Sequence, residues 1–99
     1  MTILEQHKDY IANICADLRV KRLDLVGSAA RTDFQPERSD IDFLVEFEGV
    51  ERLFDRYFEL KIRLEQKLER DVDVIQDSAV RNPYVRESLE RDRVRIYES

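Results

Sequence analysis

The stretch from Ile41 to Phe47, IDFLVEF, constrains the fold more than any other part of the sequence. All its odd-numbered positions are apolar, whereas Asp42 and Glu46 lie at even-numbered positions. A period of two is typical of a β-strand with one buried face, and Gly49 follows as a turn residue. The apolar face needs a covering layer, so the rest of the chain has to supply helices or a second sheet.

Helices are predicted from apolar periodicity on both sides of this strand. Residues 3–18 and 51–69 carry helical patterns, and a shorter helix is expected from Asn82 to Arg91, with Pro83 at its first position. In the longest helix, the pattern predicts a core face of Leu53, Phe54, Tyr57, Leu60, Leu64 and Leu68, and a solvated face of Glu59, Lys61, Arg63, Glu65 and Lys67.

Three more strands are predicted, at Val20 to Val26, Asp71 to Ile75 and Val94 to Tyr97. The resulting order is helix, strand, strand, helix, strand, helix and a tail, which contains the last of these strands. This order indicates a small α/β (α+β) fold, in which a mixed sheet packs against helices. A length of 99 residues suits a single domain spanning residues 1–99.

Composition excludes several classes of function. The net charge of -5 argues against direct binding of nucleic acid, which needs a basic surface. Cys15 is the only cysteine, so a disulfide within the chain is excluded. We find neither the apolar core of a signal peptide nor a run long enough to span a membrane, so we expect a cytoplasmic protein without membrane contact.

Asp40 and Asp42 are candidate metal ligands at the start of the Ile41 strand. One residue separates them, so on a strand both carboxylates point to the same face. Like charges this close repel each other, and a divalent cation relieves the repulsion. Mg²⁺ takes oxygen ligands, usually one or two carboxylates together with substrate phosphates. The alternative is that the pair forms a solvated strand face.

Gly27 and Ser28 are candidate phosphate ligands. A glycine at the end of a strand lets the backbone approach a phosphate closely, and the Ser28 hydroxyl can bond a phosphate oxygen. The turn that follows offers free N–H groups. Alternatively, these residues only end a strand, but their place eleven residues before the aspartate pair favours a phosphate site.

Asp73 is the candidate third acid, because valines flank it on both sides in a short predicted strand. A third carboxylate beside a metal can take the proton from an attacking hydroxyl, or orient that hydroxyl. Asp71 shares the same strand face and is the competing candidate, and an exposed acid on an edge strand is the structural alternative.

The block from Gly27 to Phe47, GSAARTDFQPERSDIDFLVEF, resembles the minimal nucleotidyltransferases of the polymerase-beta-like superfamily. The common pattern is a hydrophobic residue, Gly-Ser, a spacer of about this length, and then Asp-hydrophobic-Asp. Further similar segments are Val72-Asp73-Val74, Asn82-Pro83-Tyr84 and Ile96-Tyr97-Glu98. The resemblance therefore covers nearly the whole chain.

The resemblance implies a polymerase-beta-like fold and a magnesium-dependent transfer from ATP. Two Mg²⁺ ions would be held by Asp40, Asp42 and Asp73, and nucleotide-binding residues would be Gly27, Ser28, Arg31 and Ser39. Members of this group usually accompany a helical ribonuclease toxin of the HEPN class and act as its antitoxin. They transfer AMP to a tyrosine hydroxyl of that toxin, so a hetero-oligomer with such a partner is expected.

Two other functions stay open at this point. The chain could neutralise its partner by binding alone, or it could act on a small hydroxylated molecule. Thr32 stands where the family commonly has Gly, and we expect it to tune nucleotide contacts. Five arginines near the C-terminus either contact the partner or the triphosphate, or pair with neighbouring acids: Arg81, Arg86, Arg91, Arg93 and Arg95.

Overall fold

The computed structural model describes residues 6–27 and 41–99. The helices are α1 (Lys8–Asp17), α2 (Leu53–Leu68) and α3 (Pro83–Asp92), and a short 3₁₀ turn covers Asp77–Ala79. The strands are β1 (Val20–Val26), β2 (Ile41–Phe47), β3 (Val72–Gln76) and β4 (Val94–Glu98). The predicted order of elements is confirmed within these residues, and β1 and β2 have the predicted bounds.

The four strands form one mixed sheet in the order β3-β2-β1-β4. β1 runs antiparallel to β2 and β4, whereas β2 and β3 are parallel. The carboxyl end of β1 therefore meets the amino ends of β2 and β3. In the register, Val26 lies opposite Asp42, and Asp42 lies opposite Asp73.

One face of the sheet is buried under α1 and α2. The strand residues in this core are Leu23, Leu25, Ile41, Phe43, Val45, Val72 and Val74, and the helix residues are Ile11, Ile14, Cys15, Leu60, Leu64 and Leu68. Because strand side chains alternate between faces, Asp42 and Asp73 point to the face opposite the two helices. Burial raises the pKa of the Cys15 thiol to about 12, so this thiol is inert.

The face assignment of α2 was wrong for Phe54, and four of the five residues assigned to its solvated face are half-buried. Phe54 is 74% exposed and does not face the core. It lies six residues before Leu60, which places it about 120° around the helix from that buried position. Lys61 and Glu65 are half-buried rather than fully solvated, because they contact β3.

Arg56 of α2 holds together the turns at the other end of the sheet. It is 9% exposed, and its guanidinium donates to the carbonyls of Leu18 (2.9 Å), Arg19 (2.9 Å), Glu48 (2.7 Å) and Glu51 (2.9 Å). These carbonyls belong to the turn before β1 and the turn after β2. Arg56 therefore fixes the β1–β2 pair from the end opposite Gly27.

Asn82 caps α3 as predicted. Its Oδ1 accepts hydrogen bonds from the backbone N–H groups of Tyr84 (2.8 Å) and Val85 (3.3 Å), and Pro83 occupies the first turn. None of the described helices has the length and apolar character needed to cross a membrane.

Candidate active site

Gly27 ends β1 in a conformation that favours glycine, with a φ of +71°. A Cβ on Gly27 would lie 2.6 Å from Oδ2 of Asp42, closer than a side chain can approach. The absence of a side chain therefore lets the end of the β1 backbone lie directly against a carboxylate. The prediction for this glycine was a close approach to a phosphate; the group that the structure places against it is the Asp42 carboxylate.

Asp42 and Asp73 lie opposite each other on parallel neighbouring strands. Such strands run about 4.8 Å apart, and residues in register project their side chains to the same side. Asp42 is half-buried and Asp73 is exposed. The competing acid, Asp71, precedes β3, and its carbonyl accepts a hydrogen bond from the Ile41 N–H at 3.3 Å. Of these two acids, Asp73 is the one in register with Asp42.

The other predicted site residues, Ser28, Arg31, Ser39 and Asp40, lie outside the described residues, as does Thr32. Within residues 6–27 and 41–99, no group of three or more His, Cys, Asp or Glu side chains gathers as a metal site. The described part of the chain contributes two of the three predicted carboxylates, Asp42 and Asp73, near the amino ends of β2 and β3. Two carboxylates on one face are a donor set that suits Mg²⁺.

Three side chains of α2 contact the outer edge of β3. Tyr57 donates its hydroxyl to the Val74 carbonyl at 2.7 Å, and Lys61 donates to the Val72 carbonyl. Glu65 accepts from the Val72 N–H at 3.1 Å and from Lys61 at 3.1 Å. These contacts lie on either side of Asp73 along the strand. The i, i+4, i+8 spacing was the available sequence signal, but charged residues on a helix usually face solvent.

Electrostatic coupling accompanies these contacts. The hydrogen bond from the Val72 amide lowers the pKa of Glu65, and the hydrogen bond from Lys61 lowers it further. Burial lowers the pKa of Lys61, but its hydrogen bond with Glu65 and the charges of Glu65 and Asp73 outweigh burial, so its pKa is raised. Lys61 therefore carries a positive charge whose field reaches Asp73.

A second charged cluster lies on the same face of the sheet, further along β1. Asp24 is 1% exposed, and its carboxylate accepts from Arg93 and Arg95. Arg93 also pairs with Glu90, and Arg95 also pairs with Glu98 at 2.7 Å. The predicted salt-bridge partners of the C-terminal arginines included Glu90, which pairs with Arg93, and Glu87, which pairs with Arg91. The buried partner was not apparent from the sequence, where Asp24 only interrupts an apolar strand.

One open cavity borders the Asp24 cluster, and another lies at the far end of the sheet. The first, of about 420 Å³, is lined by charged residues that include Arg22, Glu46 and Arg86. A larger one, of about 520 Å³, lies beside Arg56 at the opposite end of the sheet from Gly27. The larger cavity contains neither Asp42 nor Asp73 in its lining, so we place the candidate site at the two carboxylates and not at the larger cavity.

Comparison with known proteins identifies the family. Residues 8–96 match the family described as nucleotidyltransferase domain. A candidate protein adenylyltransferase of Methanocaldococcus jannaschii is 40% identical over 95 residues, covering 95% of this chain and 91% of that protein.

Solved structures show the same fold. A candidate minimal nucleotidyltransferase is 30% identical, with a TM-score of 0.78 and 95% of each chain covered. The MNT antitoxin in complex with a tri-AMPylated HEPN toxin of Shewanella oneidensis gives a TM-score of 0.67 at 16% identity, covering 97% of this chain and 73% of that one. This last likeness concerns the fold alone. The sequence match over residues 8–96 and the adenylyltransferase-type relatives show that the chain belongs to the nucleotidyltransferase domain family.

Proposed function

We propose that this protein transfers AMP from ATP to a tyrosine hydroxyl of a HEPN ribonuclease toxin and thereby neutralises the toxin. The observation that carries the proposal is the register of Asp42 and Asp73 beside the end of β1, where Gly27 leaves room for the Asp42 carboxylate. Carboxylates beside the end of a strand suit phosphoryl chemistry on a nucleotide.

Asp42 and Asp73, together with Asp40, would hold two Mg²⁺ ions. When bound, these ions neutralise the charge of the phosphate oxygens. Gly27, Ser28, Arg31 and Ser39 are the groups assigned to the β- and γ-phosphates of ATP. Most of the rate enhancement is then expected from positioning and electrostatic stabilisation.

In the proposed reaction, the tyrosine oxygen attacks the α-phosphorus of ATP. A new oxygen–phosphorus bond forms, the bond from the α-phosphorus to its bridging oxygen breaks, and pyrophosphate leaves. Asp73 accepts the proton of the tyrosine hydroxyl. Asp73 suits this role because it is exposed, whereas Asp42 is half-buried against Gly27.

The partner is proposed from two findings. Relatives that share at least a third of their residues with this chain are candidate protein adenylyltransferases, and the fold is shared with an MNT antitoxin in complex with an AMPylated HEPN toxin. A toxin of this class and its antitoxin would meet in the cytoplasm, where ATP and Mg²⁺ are available.

The test is transfer of label from α-labelled ATP to a co-expressed HEPN toxin. Asp42→Asn should lower incorporation by about 100-fold or more, because it removes a charged ligand at the reacting phosphate. Asp55→Asn is the matched control, since Asp55 is an exposed acid of α2 that pairs only with Arg52, at 3.5 Å, among the described contacts. Unchanged incorporation in Asp42→Asn would exclude the assignment.

The second candidate function is neutralisation of the toxin by binding alone. The intact mass of the toxin distinguishes AMP transfer from binding alone. Added AMP units support transfer, whereas an unmodified but inactive toxin supports binding alone. Label appearing on a small hydroxylated molecule, with none on the toxin, would reassign the acceptor.

A further inference from the structure

β3 is an edge strand, and its free edge is closed by side chains. In the order β3-β2-β1-β4, one side of β3 pairs with β2, and the other side has no neighbouring strand among residues 6–27 and 41–99. The outward N–H and C=O groups of such an edge are normally left to solvent. Here Val72 bonds outward through both its N–H and its C=O, and Val74 through its C=O, all to side chains of α2.

The spacing of the two elements explains the fit. Four residues of a helix rise about 6 Å, and two residues of a strand span about 6.6 Å. Tyr57 and Lys61, one such helical step apart, therefore reach the carbonyls of Val74 and Val72, which are one strand period apart. Asp73 lies between the two anchored carbonyls.

Lys61 is the centre of this arrangement. Its ammonium donates to the Val72 carbonyl and to Oε2 of Glu65, and the same Oε2 accepts from the Val72 N–H. The Val72 carbonyl belongs to the peptide bond that also contains the Asp73 nitrogen. Fixing this carbonyl therefore fixes the peptide plane from which the Asp73 side chain leaves the strand.

We propose that Lys61, held by Glu65, is a positioning residue that keeps Asp73 in register with Asp42 for shared metal binding. The proposal rests on the proposed function in one respect, since it takes Asp73 to be a metal ligand. Substitution of a residue that orients a metal ligand without binding the metal itself typically changes metal affinity or activity by about 10- to 100-fold. Lys61 never contacts the nucleotide in this role.

The experiment compares Lys61→Met, Lys61→Arg and Lys67→Met in the full chain. Lys67 is the matched control on the same helix, because its ammonium lies 4.3 Å from the centre of the Tyr10 ring and not on β3. The readouts are hydrogen exchange of the Val72 amide, the affinity for Mn²⁺ followed by paramagnetic broadening at Asp42 and Asp73, and the Mg²⁺ and ATP dependence of AMP transfer.

For Lys61→Met we expect faster exchange at Val72, about tenfold weaker Mn²⁺ binding, a matching rise in half-saturating Mg²⁺, and an unchanged KM for ATP. Lys61→Arg should recover most of the affinity, and Lys67→Met should match the wild type. Wild-type Mn²⁺ affinity in Lys61→Met would overturn the inference. If Lys61→Met fails to fold, the test uses Glu65→Gln instead. This substitution removes the charge that holds Lys61 but leaves an acceptor for the Val72 N–H. Unchanged Mn²⁺ affinity in Glu65→Gln would equally overturn the inference.

Failure of the inference is separable from failure of the proposed function. Wild-type protein that binds Mn²⁺ at Asp42 and Asp73 but transfers no AMP would remove the proposed function and leave the positioning role standing. Wild-type protein that transfers AMP, with a Lys61→Met variant of equal metal affinity, would remove only the positioning role.

Discussion

At the end of β1, the Asp42 carboxylate occupies the room that a side chain on Gly27 would need, because a Cβ on the glycine would lie 2.6 Å from the carboxylate Oδ2. A phosphate bound to the Gly27 backbone would therefore lie directly beside Asp42, whose carboxylate can bind a metal ion coordinated by the same phosphate. This contact joins the two halves of the Gly27 to Phe47 block, which the sequence places on different strands.

Substituting Gly27 tests that contact. In Gly27→Ala, the residue must keep a φ of +71° and the Asp42 carboxylate must move away. We expect a loss of roughly 1–2 kcal/mol in the free energy of unfolding from the backbone alone, and a loss of AMP transfer well beyond that of partial unfolding.

Gly49→Ala is the control, because Gly49 also has a positive φ, +68°, but its added Cβ would meet only the flexible ends of the Glu51 and Arg19 side chains. Similar destabilisation in both variants, with activity lost only in Gly27→Ala, is the expected result of denaturant titration and AMP-transfer assays. Equal activity in the two variants would contradict a role for the Gly27–Asp42 contact.

Substitutions of Asp73 and Asp71 should differ in their effect on AMP transfer. Asp73→Asn removes the carboxylate in register with Asp42, and we expect AMP transfer to fall by about 100-fold or more. Asp71→Asn should retain most activity, because Asp71 precedes the strand and contributes its backbone carbonyl to Ile41. Steady-state incorporation of labelled AMP checks both, and a reversed order would assign the third acid to Asp71.

Local patterns were enough to predict the scaffold. The period of two in IDFLVEF and the Gly27 boundary gave both central strands their correct ends, because each strand buries one face and stops where the apolar pattern stops. Asn82 and Pro83 identified the start of α3 for a similarly local reason, since the cap accepts from backbone N–H groups two and three residues further along the chain.

What the sequence did not predict depends on contacts between distant segments. Asp24 looked like an interruption until the fold brought Arg93 and Arg95 onto it from about seventy residues away. Lys61 and Glu65 looked solvated, because no local pattern shows that the next strand will lie at the sheet edge with free backbone groups. Phe54 is apolar, which alone predicted a core position, but it lies about 120° around the helix from Leu60 and therefore outside the buried face.

The Asp24 cluster should stabilise the sheet without taking part in catalysis. Asp24→Asn leaves Arg93 and Arg95 without their buried counter-charge, and we expect a loss of about 2 kcal/mol in the free energy of unfolding. This is below the roughly 3–5 kcal/mol of fully buried pairs, because the Arg95 side chain is 41% exposed and keeps part of its hydration. Denaturant unfolding measures the loss, with exposed Asp9→Asn of α1 as the control. A change no larger than that of the control would show that the cluster adds no stability.

The Glu65 contacts predict a dependence of stability on pH with a definite sign. The Val72 amide and Lys61 lower the pKa of Glu65 in the folded state, below the ordinary value of about 4.3 expected for the unfolded chain. The folded state therefore favours the carboxylate, and the stabilisation is fully present above that unfolded value. It is lost as the pH falls through the lowered folded pKa, when both states become protonated.

Glu65→Gln removes this titration. Near pH 7 we expect the free energy of unfolding of the variant to be about 1 kcal/mol lower than that of the wild type. This figure is the contribution of a charge-assisted hydrogen bond, reduced to about 1 kcal/mol because Glu65 is partly exposed to solvent. The difference should shrink toward zero as the pH falls through the lowered folded pKa of Glu65, because the wild-type carboxyl is then protonated as well. Denaturant unfolding at several pH values gives this curve. Glu87→Gln serves as the control, since Glu87 makes only an exposed 3.5 Å pair with Arg91 on α3 among the described contacts. A Glu65→Gln deficit that stays constant as the pH falls through that pKa would mean that packing, and not the charge held between Lys61 and Val72, is what Glu65 contributes to the β3 edge.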